Sequence, residues 1–289
     1  MRLRVVHRTR YDYDDHVSTS HHEARQCPLD RPGQRRVMHD VRITPEPAVR
    51  SERSDYFGNA ALYFNMQEPH RHLEVTATSI VEVAPAAPPA SPGPPWEEAR
   101  DDIRRGRTRE LLAALEMTLD SPLVPGSADF AAYAAPSFPP ARPLLEGARD
   151  LTHRIHGDFQ YDKAATDVST PVAEVMRRRH GVCQDFAHVA IGCLRALGLP
   201  ARYVSGYLLT RPPPGRPRLQ GADASHAWIA VLVPGAGWIP FDPTNDIIPG
   251  DEHVTIAEGR DFSDVAPLRG VILGGGRHRL TVAVDVEPI

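Results

Sequence analysis

Lysine is almost missing from this chain, since Lys163 is the only one among 33 basic residues. The protein therefore offers few primary amines to any amine-transferring chemistry of its own. The matching excess of arginine, alanine and proline fits a GC-rich coding sequence. Cysteine is scarce as well. Cys27, Cys183 and Cys193 are too few for a disulfide framework, and an odd count leaves one free, which fits a reducing cytoplasm. No apolar run approaches the ~20 residues of a membrane span. The opening MRLRVVHRTRYDYDD alternates apolar and charged residues and lacks the continuous apolar stretch of a secretory signal. A net charge of −4 with 41% hydrophobic residues suggests neither a nucleic-acid nor a membrane partner. At 289 residues there is room for one large domain or two modest ones.

What is present centres on residues 179–200, RHGVCQDFAHVAIGCLRALGLP. Phe186, Val189, Ala190, Cys193, Leu194 and Leu197 recur at helical spacing, so one stripe of a helix is buried. Gly181 permits a tight approach before it, while Gly198 and Pro200 end it. Cys183 then stands at the helix start, where unpaired N–H groups and the positive end of the dipole favour a thiolate. A nucleophile there needs a base. Residues 223–233, DASHAWIAVLV, read as an apolar strand entered by His226; after a PGAG turn, WIPFDPTN reads as a second strand ending at Asp242. Adjacent strands bring His226 and Asp242 together, and with Cys183 they form a nucleophile–base–orienter set. Cys193, in mid-stripe, reads as core. Asp185 reads as a cap on the first helical turn, and His188 as a satisfied helix histidine. Gln184, Tyr207 and Trp228 are candidates to line the cleft, Trp228 because it shares a strand face with His226.

Taken in order, residues 1–84 alternate like strands between turn-rich pieces and read as a small antiparallel β-sandwich. The segment APAAPPASPGPP marks the domain boundary, so 85–143 is expected to be a proline-rich linker with a helical connector in which 121–143 breaks regular structure. Residues 144–289 complete the organisation as the core domain, with a last strand, LTVAVDVEPI, that suits either domain. His153 and His156, three apart on a helix, have the spacing of a metal site; with no carboxylate partner evident they read as an exposed pair. His21, His22 and Glu23 read as a polar face. The loop 210–225 carries Arg211, Arg216 and Arg218, which would favour an acidic substrate at the cleft rim.

GVCQDFAHVAIGCLRALGLPARYVSGYL and ASHAWIAVLVPGAGWIPFDPTN closely resemble the core of bacterial transglutaminase-like proteins, and RTRYDYDDHV resembles the domain preceding that core in a cytoplasmic subgroup. The resemblance implies an α+β, papain-like arrangement: a helix bearing the nucleophile on an antiparallel sheet, with an N-terminal β-sandwich domain. It makes Cys183 the nucleophile, His226 the general base and Asp242 the orienting carboxylate. The activity it implies first is a cysteine protease or amidase acting on a peptide or protein substrate, isopeptides included, through a thioester. A protein-glutamine amine transferase and a catalytically silent binding module stay open as alternatives. No cofactor or metal is expected, the location expected is cytoplasmic, and the oligomeric state stays open.

Overall fold

The computed structural model describes residues 1–84, 91–106, 108–210 and 225–289. The arginines expected at the cleft rim lie outside these residues. The N-terminal domain is built on one very long strand, β1 (Arg2–Ala24), with β2 (Gln34–Thr44), β3 (Val49–Ser54), β4 (Ala60–Met66) and β5 (His70–Val83) in the order β2-β5-β1-β4-β3. Strand β5 pairs with the first half of β1 and β4 with the second. Their register breaks between Asp12 and Val17, where the sheet folds over. Val41, Leu73 and Val75 from one half then bury against Leu62, Phe64 and Met66 from the other. The sandwich is thus one curled sheet, closed by the alternating apolar residues of its strands.

The middle of the chain is helical: α1 (Trp96–Arg105), α2 (Arg109–Glu116), α3 (Ala128–Ala134) and α4 (Leu144–Asp158). Helix α3 falls where the proline-rich sequence suggested irregular chain. Ser127 accepts the Asp129 N–H as its cap, and Phe130 and Tyr133 enter the core three residues apart, so a short helix fits between the prolines. Ala99, Val124 and Phe130 join the same buried cluster as Phe186 and Leu194, so the connector packs against the core rather than standing apart as a linker.

The remaining elements are β6 (Gln160–Tyr161), α5 (Val172–Arg178), β7 (His180–Gly181), α6 (Cys183–Ala196), β8 (Ala201–Leu208), β9 (Ser225–Val233), β10 (Gly237–Phe241), β11 (His253–Gly259) and α7 (Phe262–Val265), then β12 (Leu268–Gly274) and β13 (His278–Pro288). Strands β10-β9-β8-β11 form an antiparallel sheet, and α6 lies on it. Every residue of α6 from Asp185 to Arg195 is buried. Phe186, Val189, Ile191 and Leu194 meet Ala227, Ile229 and Val231, alternate residues of β9. Full burial of each large apolar side chain contributes roughly 1.5–3 kcal/mol, which holds the helix start firmly over the strand ends.

The last strands return to the first domain. β13 pairs with β1 from Leu3↔Pro288 to Tyr13↔His278, and β12 continues along it from Val17↔Gly274 to Ala24↔Leu268. Between them Gly274 turns the corner at φ +92°, where a Cβ would stand 2.6 Å from the His16 carbonyl oxygen. Residues 268–288 therefore join the N-terminal sheet, which places the last strand in the first of the two domains it suited and takes β12 there with it. No helix among the described residues is long and apolar enough to cross a membrane.

Candidate active site

Cys183 is the first residue of α6, and the start of that helix is built by neighbours. Val182 precedes it in extended conformation and has no capping side chain. Asp185 caps instead: its Oδ2 accepts the Val182 N–H at 2.8 Å and the Thr166 hydroxyl at 2.6 Å. Gly181 is required here, because a Cβ would lie 2.6 Å from that same oxygen. Burial pushes the Asp185 carboxyl up, against the pull of Thr166 and Val182. The Cys183 thiol is half-buried at the helix start, among amide groups that α6 leaves unpaired.

The other two cysteines differ. Cys193 is fully buried, and burial pushes its thiol up to about 12. Cys27 is half-buried against the Arg36 guanidinium, and burial raises its thiol too. Brief treatment with limiting iodoacetamide near neutral pH is therefore expected to label Cys183 at least about ten-fold faster than Cys193 or Cys27. Peptide mass spectrometry reads the ratio, and equal labelling of the three would remove Cys183 as a nucleophile.

His226 enters β9, and Asp242 follows directly on β10, the neighbouring strand. His226 Nε2 donates to Asp242 Oδ2 at 2.7 Å, and the same imidazole lies close enough to Cys183 for the thiol to favour its charged form. With Nε2 taken, Nδ1 is the nitrogen left for the thiol. Burial works against a charge on His226, but hydrogen bonds to Asp242 and Cys183, with their charges, outweigh it and hold the imidazole at about 10. Asp242 is fully buried. Its Oδ1 accepts the N–H groups of Thr244 at 2.9 Å and Asn245 at 3.2 Å, while Oδ2 takes the Asn245 side-chain amide at 2.7 Å besides His226. Burial would raise this carboxyl; the donors, His226 first, keep it well below the usual carboxylate range.

Two further groups were not singled out by the sequence reading. His253, opening β11, places Nε2 3.3 Å from the same Oδ2. Tyr161 pairs with Gly181, sets its ring edge-on to Phe186, and lies close enough to Cys183 that burial and the thiol's charge both raise its phenol. Ligating atoms of His226, Asp242 and His253 all fall within 4.8 Å of one another, a grouping that could offer a metal three donors. The 2.7 Å His226–Asp242 contact is nevertheless a hydrogen-bond length, shorter than the ~3.3 Å that separates two ligands of one tetrahedral zinc.

The residues proposed to line the cleft divide. Gln184 is half-buried in the first turn of α6. Tyr207 does not line it: the residue is buried, and its hydroxyl meets His7 Nδ1 of β1 at 2.7 Å, so it joins the two domains. Trp228 does not wall an open cleft either. It is buried beneath both imidazoles, 5.9 Å from the His226 ring and edge-on at 5.2 Å to His253. The histidines of α4 also have a structural task. His153 Nδ1 meets Asp246 Oδ2 at 2.7 Å and His156 Nδ1 donates to the Thr244 carbonyl at 2.9 Å, so the pair grips the turn after Asp242. The carboxylate partner that sequence spacing did not reveal for His153 is Asp246. His188 is buried and accepts the Phe262 N–H; burial lowers it to about 4.

Two family models match the chain: the bacterial transglutaminase-like N-terminal region over residues 3–82 and the transglutaminase-like superfamily over residues 132–243. The chain is 45% identical to the uncharacterized protein Rv2569c of Mycobacterium tuberculosis, over 99% of this chain and 93% of that one. The chain belongs to the transglutaminase-like superfamily. The second match contains Cys183, His226 and Asp242, while His253 lies beyond it. A protein-glutamine gamma-glutamyltransferase of Pseudomonas aeruginosa is 38% identical over 99 residues, 32% of this chain and 15% of that protein. The crystal structure of a candidate cysteine protease from Cytophaga hutchinsonii shares the fold, with a TM-score of 0.77 at 21% identity over 99% of this chain and 90% of that one. Its correspondence is one of architecture: transglutaminase-like cores combine helices with antiparallel sheet, as this chain does.

Proposed function

We propose that the protein is a cysteine-dependent hydrolase of peptide or amide bonds, isopeptides included, working through a thioester on Cys183. The observation that carries this reading is the grouping of the half-buried Cys183 thiol with His226, whose imidazole it influences, and of His226 with the buried Asp242 carboxylate, to which it is hydrogen-bonded at 2.7 Å. His226 takes the thiol proton, and the sulfur attacks the carbonyl carbon. Negative charge developing on the carbonyl oxygen is met by the Cys183 backbone N–H at the helix start. As the tetrahedral intermediate collapses, the amine leaves with the proton from His226. Water then gives its proton to His226, attacks the thioester and releases the acid and the free thiol. Asp242 keeps the imidazole in the tautomer and orientation each step needs, and the buried Trp228 ring shields that contact from water. Gln184 is the polar group on the first helical turn that meets the substrate.

Amine transfer differs only in what resolves the thioester, and the likeness to the Pseudomonas aeruginosa transferase favours keeping it as the second reading. Turnover of a peptide substrate in oxygen-18 water, with a millimolar primary amine added, separates the two. Hydrolysis is expected: the new carboxyl group carries label and no amine is incorporated. Unlabelled product with quantitative amine capture would make the protein a transferase.

A further inference from the structure

A carboxylate that orients a catalytic imidazole must itself be held, and Asp242 stands outside the strand ladder, in a turn bridged only to Ile247 among the described residues. Its Oδ1 is anchored by the turn's own N–H groups, and Asn245 reaches Oδ2 from within the same turn. Apart from His226 itself, one donor to Oδ2 comes from outside the turn. His253 Nε2 approaches at 3.3 Å from β11, and because a carboxylate oxygen can only accept, the nitrogen must donate. The His253 side chain is 3% exposed, and its ring is fixed by its edge-on contact with Trp228 at 5.2 Å. Its Nδ1 has no hydrogen-bond partner among the described residues, so the one polar contact this buried ring makes is to Asp242. A buried imidazole with a single bond, directed at the carboxylate behind the general base, is costly to keep unless that bond matters.

The position of β11 is also set from outside the core domain. It is the edge strand of its sheet, and side-chain amides of the N-terminal domain occupy its outer backbone groups in place of another strand. Gln34 Oε1 accepts the Thr255 N–H at 2.7 Å and its Nε2 donates to the Thr255 carbonyl at 2.8 Å. Asn59 does the same for Glu258, with both bonds at 2.8 Å. Gln34 and Asn59 are both buried. Between the two domains, behind Trp228 and His253, lies a cavity of about 90 Å³ to which Gln34 and Arg31 contribute.

We propose that His253 is a positioning residue: held on an edge strand that the N-terminal domain clamps through Gln34 and Asn59, it donates to Asp242 and fixes the carboxylate that orients His226. This gives the N-terminal β domain a part in the chemistry without touching the substrate. The inference rests on the hydrolase reading for its consequence, but it can be measured on Cys183 without any amide. Three variants separate position from packing. The Gln side chain places its amide where His253 Nε2 stands, Asn is too short to reach Asp242, and Phe keeps the ring and loses the donor.

Full-length His253→Phe is expected to lower kcat about 10- to 100-fold with KM within about two-fold, the loss of one charge-assisted hydrogen bond acting only on catalysis. His253→Asn should fall with it, and His253→Gln should stay within about five-fold of the unmodified protein. Alkylation of Cys183 by iodoacetamide across pH 5–9 should slow in the same order. If Gln and Asn lose equally, or if the Phe variant matches the unmodified protein in both assays, the proposal is overturned. Should Phe fail to fold, as its thermal midpoint would show, the contrast between Gln and Asn decides alone. If no amide is cleaved by the unmodified protein, the hydrolase reading fails while the alkylation series still decides whether His253 positions Asp242.

Discussion

Cys183→Ala is expected to abolish amide cleavage, by roughly 10⁴- to 10⁶-fold in kcat, the scale on which nucleophile removal acts when the remaining groups cannot work without it. His226 and Asp242 stay in place in this variant, yet no thioester can form, and the Cys183 amide has no oxyanion to meet. Stability should change little. The residue is half-buried at the first position of α6, alanine is the best helix former, and the fully buried stripe from Phe186 to Leu194 is untouched. A shift of less than about 1 kcal/mol, or about 2–4 °C in Tm, is expected. The variant does lose the contact that helps hold the proton on His226, so its alkaline titration should move down from about 10. Turnover by purified Cys183→Ala at the original rate would sink the mechanism, whereas loss of activity with a collapsed melting transition would say only that the fold was lost.

The part of this site legible in sequence is the part carried by local pattern. α6 announces itself by apolar spacing between Gly181 and Gly198, and the β9–β10 hairpin by two apolar runs around a glycine turn, so Cys183, His226 and Asp242 can be placed from short windows and a family resemblance. Asp185 as the cap of α6 follows from its position in the first turn. What escapes is set by long-range pairing. Tyr207 alternates correctly along β8, but only the packed structure shows that the layer over its face is β1, through His7. The destination of β13 depends on β1, more than 250 residues earlier, and no local signal carries that pairing. His153 waits for Asp246 from a turn 93 residues downstream. His253 looks like a loop histidine in DEHV because its burial comes from Trp228 and from the N-terminal domain covering its strand. Helix α3 was hidden for the opposite reason: the prolines around it are strong local signals, yet they fall outside the seven residues that a serine cap and two buried aromatics suffice to fold.

Asp242→Asn is expected to lower kcat by about 10⁴-fold while Cys183 remains in place, and here stability should fall too. In the native site Oδ1 meets two N–H donors and Oδ2 meets three, from His226, His253 and the Asn245 amide. An asparagine has one acceptor and one NH₂, so either orientation turns a donor toward donors in a fully buried place, at a cost of about 1–3 kcal/mol or more. If the NH₂ faces His226, Nε2 must become an acceptor and the ring proton moves to Nδ1, the nitrogen that has to take the thiol proton. The base is then blocked. Linkage gives a second signature. His226 is raised from 6.5 to about 10 by Asp242 and Cys183 against the opposing effect of burial, so its contribution to stability is fully present below pH 6.5 and is lost as pH rises through about 10. Asp242, held below its usual range, contributes over the whole range above pH 4 and loses that contribution only in strong acid. The variant lacks most of the His226 term, so the gap in Tm between native protein and Asp242→Asn should be widest near pH 6 and narrow steadily toward pH 10. Thermal melts at half-unit steps from pH 5 to pH 10 measure it. A gap that is constant across that range would mean that Asp242 does not hold the proton on His226, and the base–orienter assignment would fail with it.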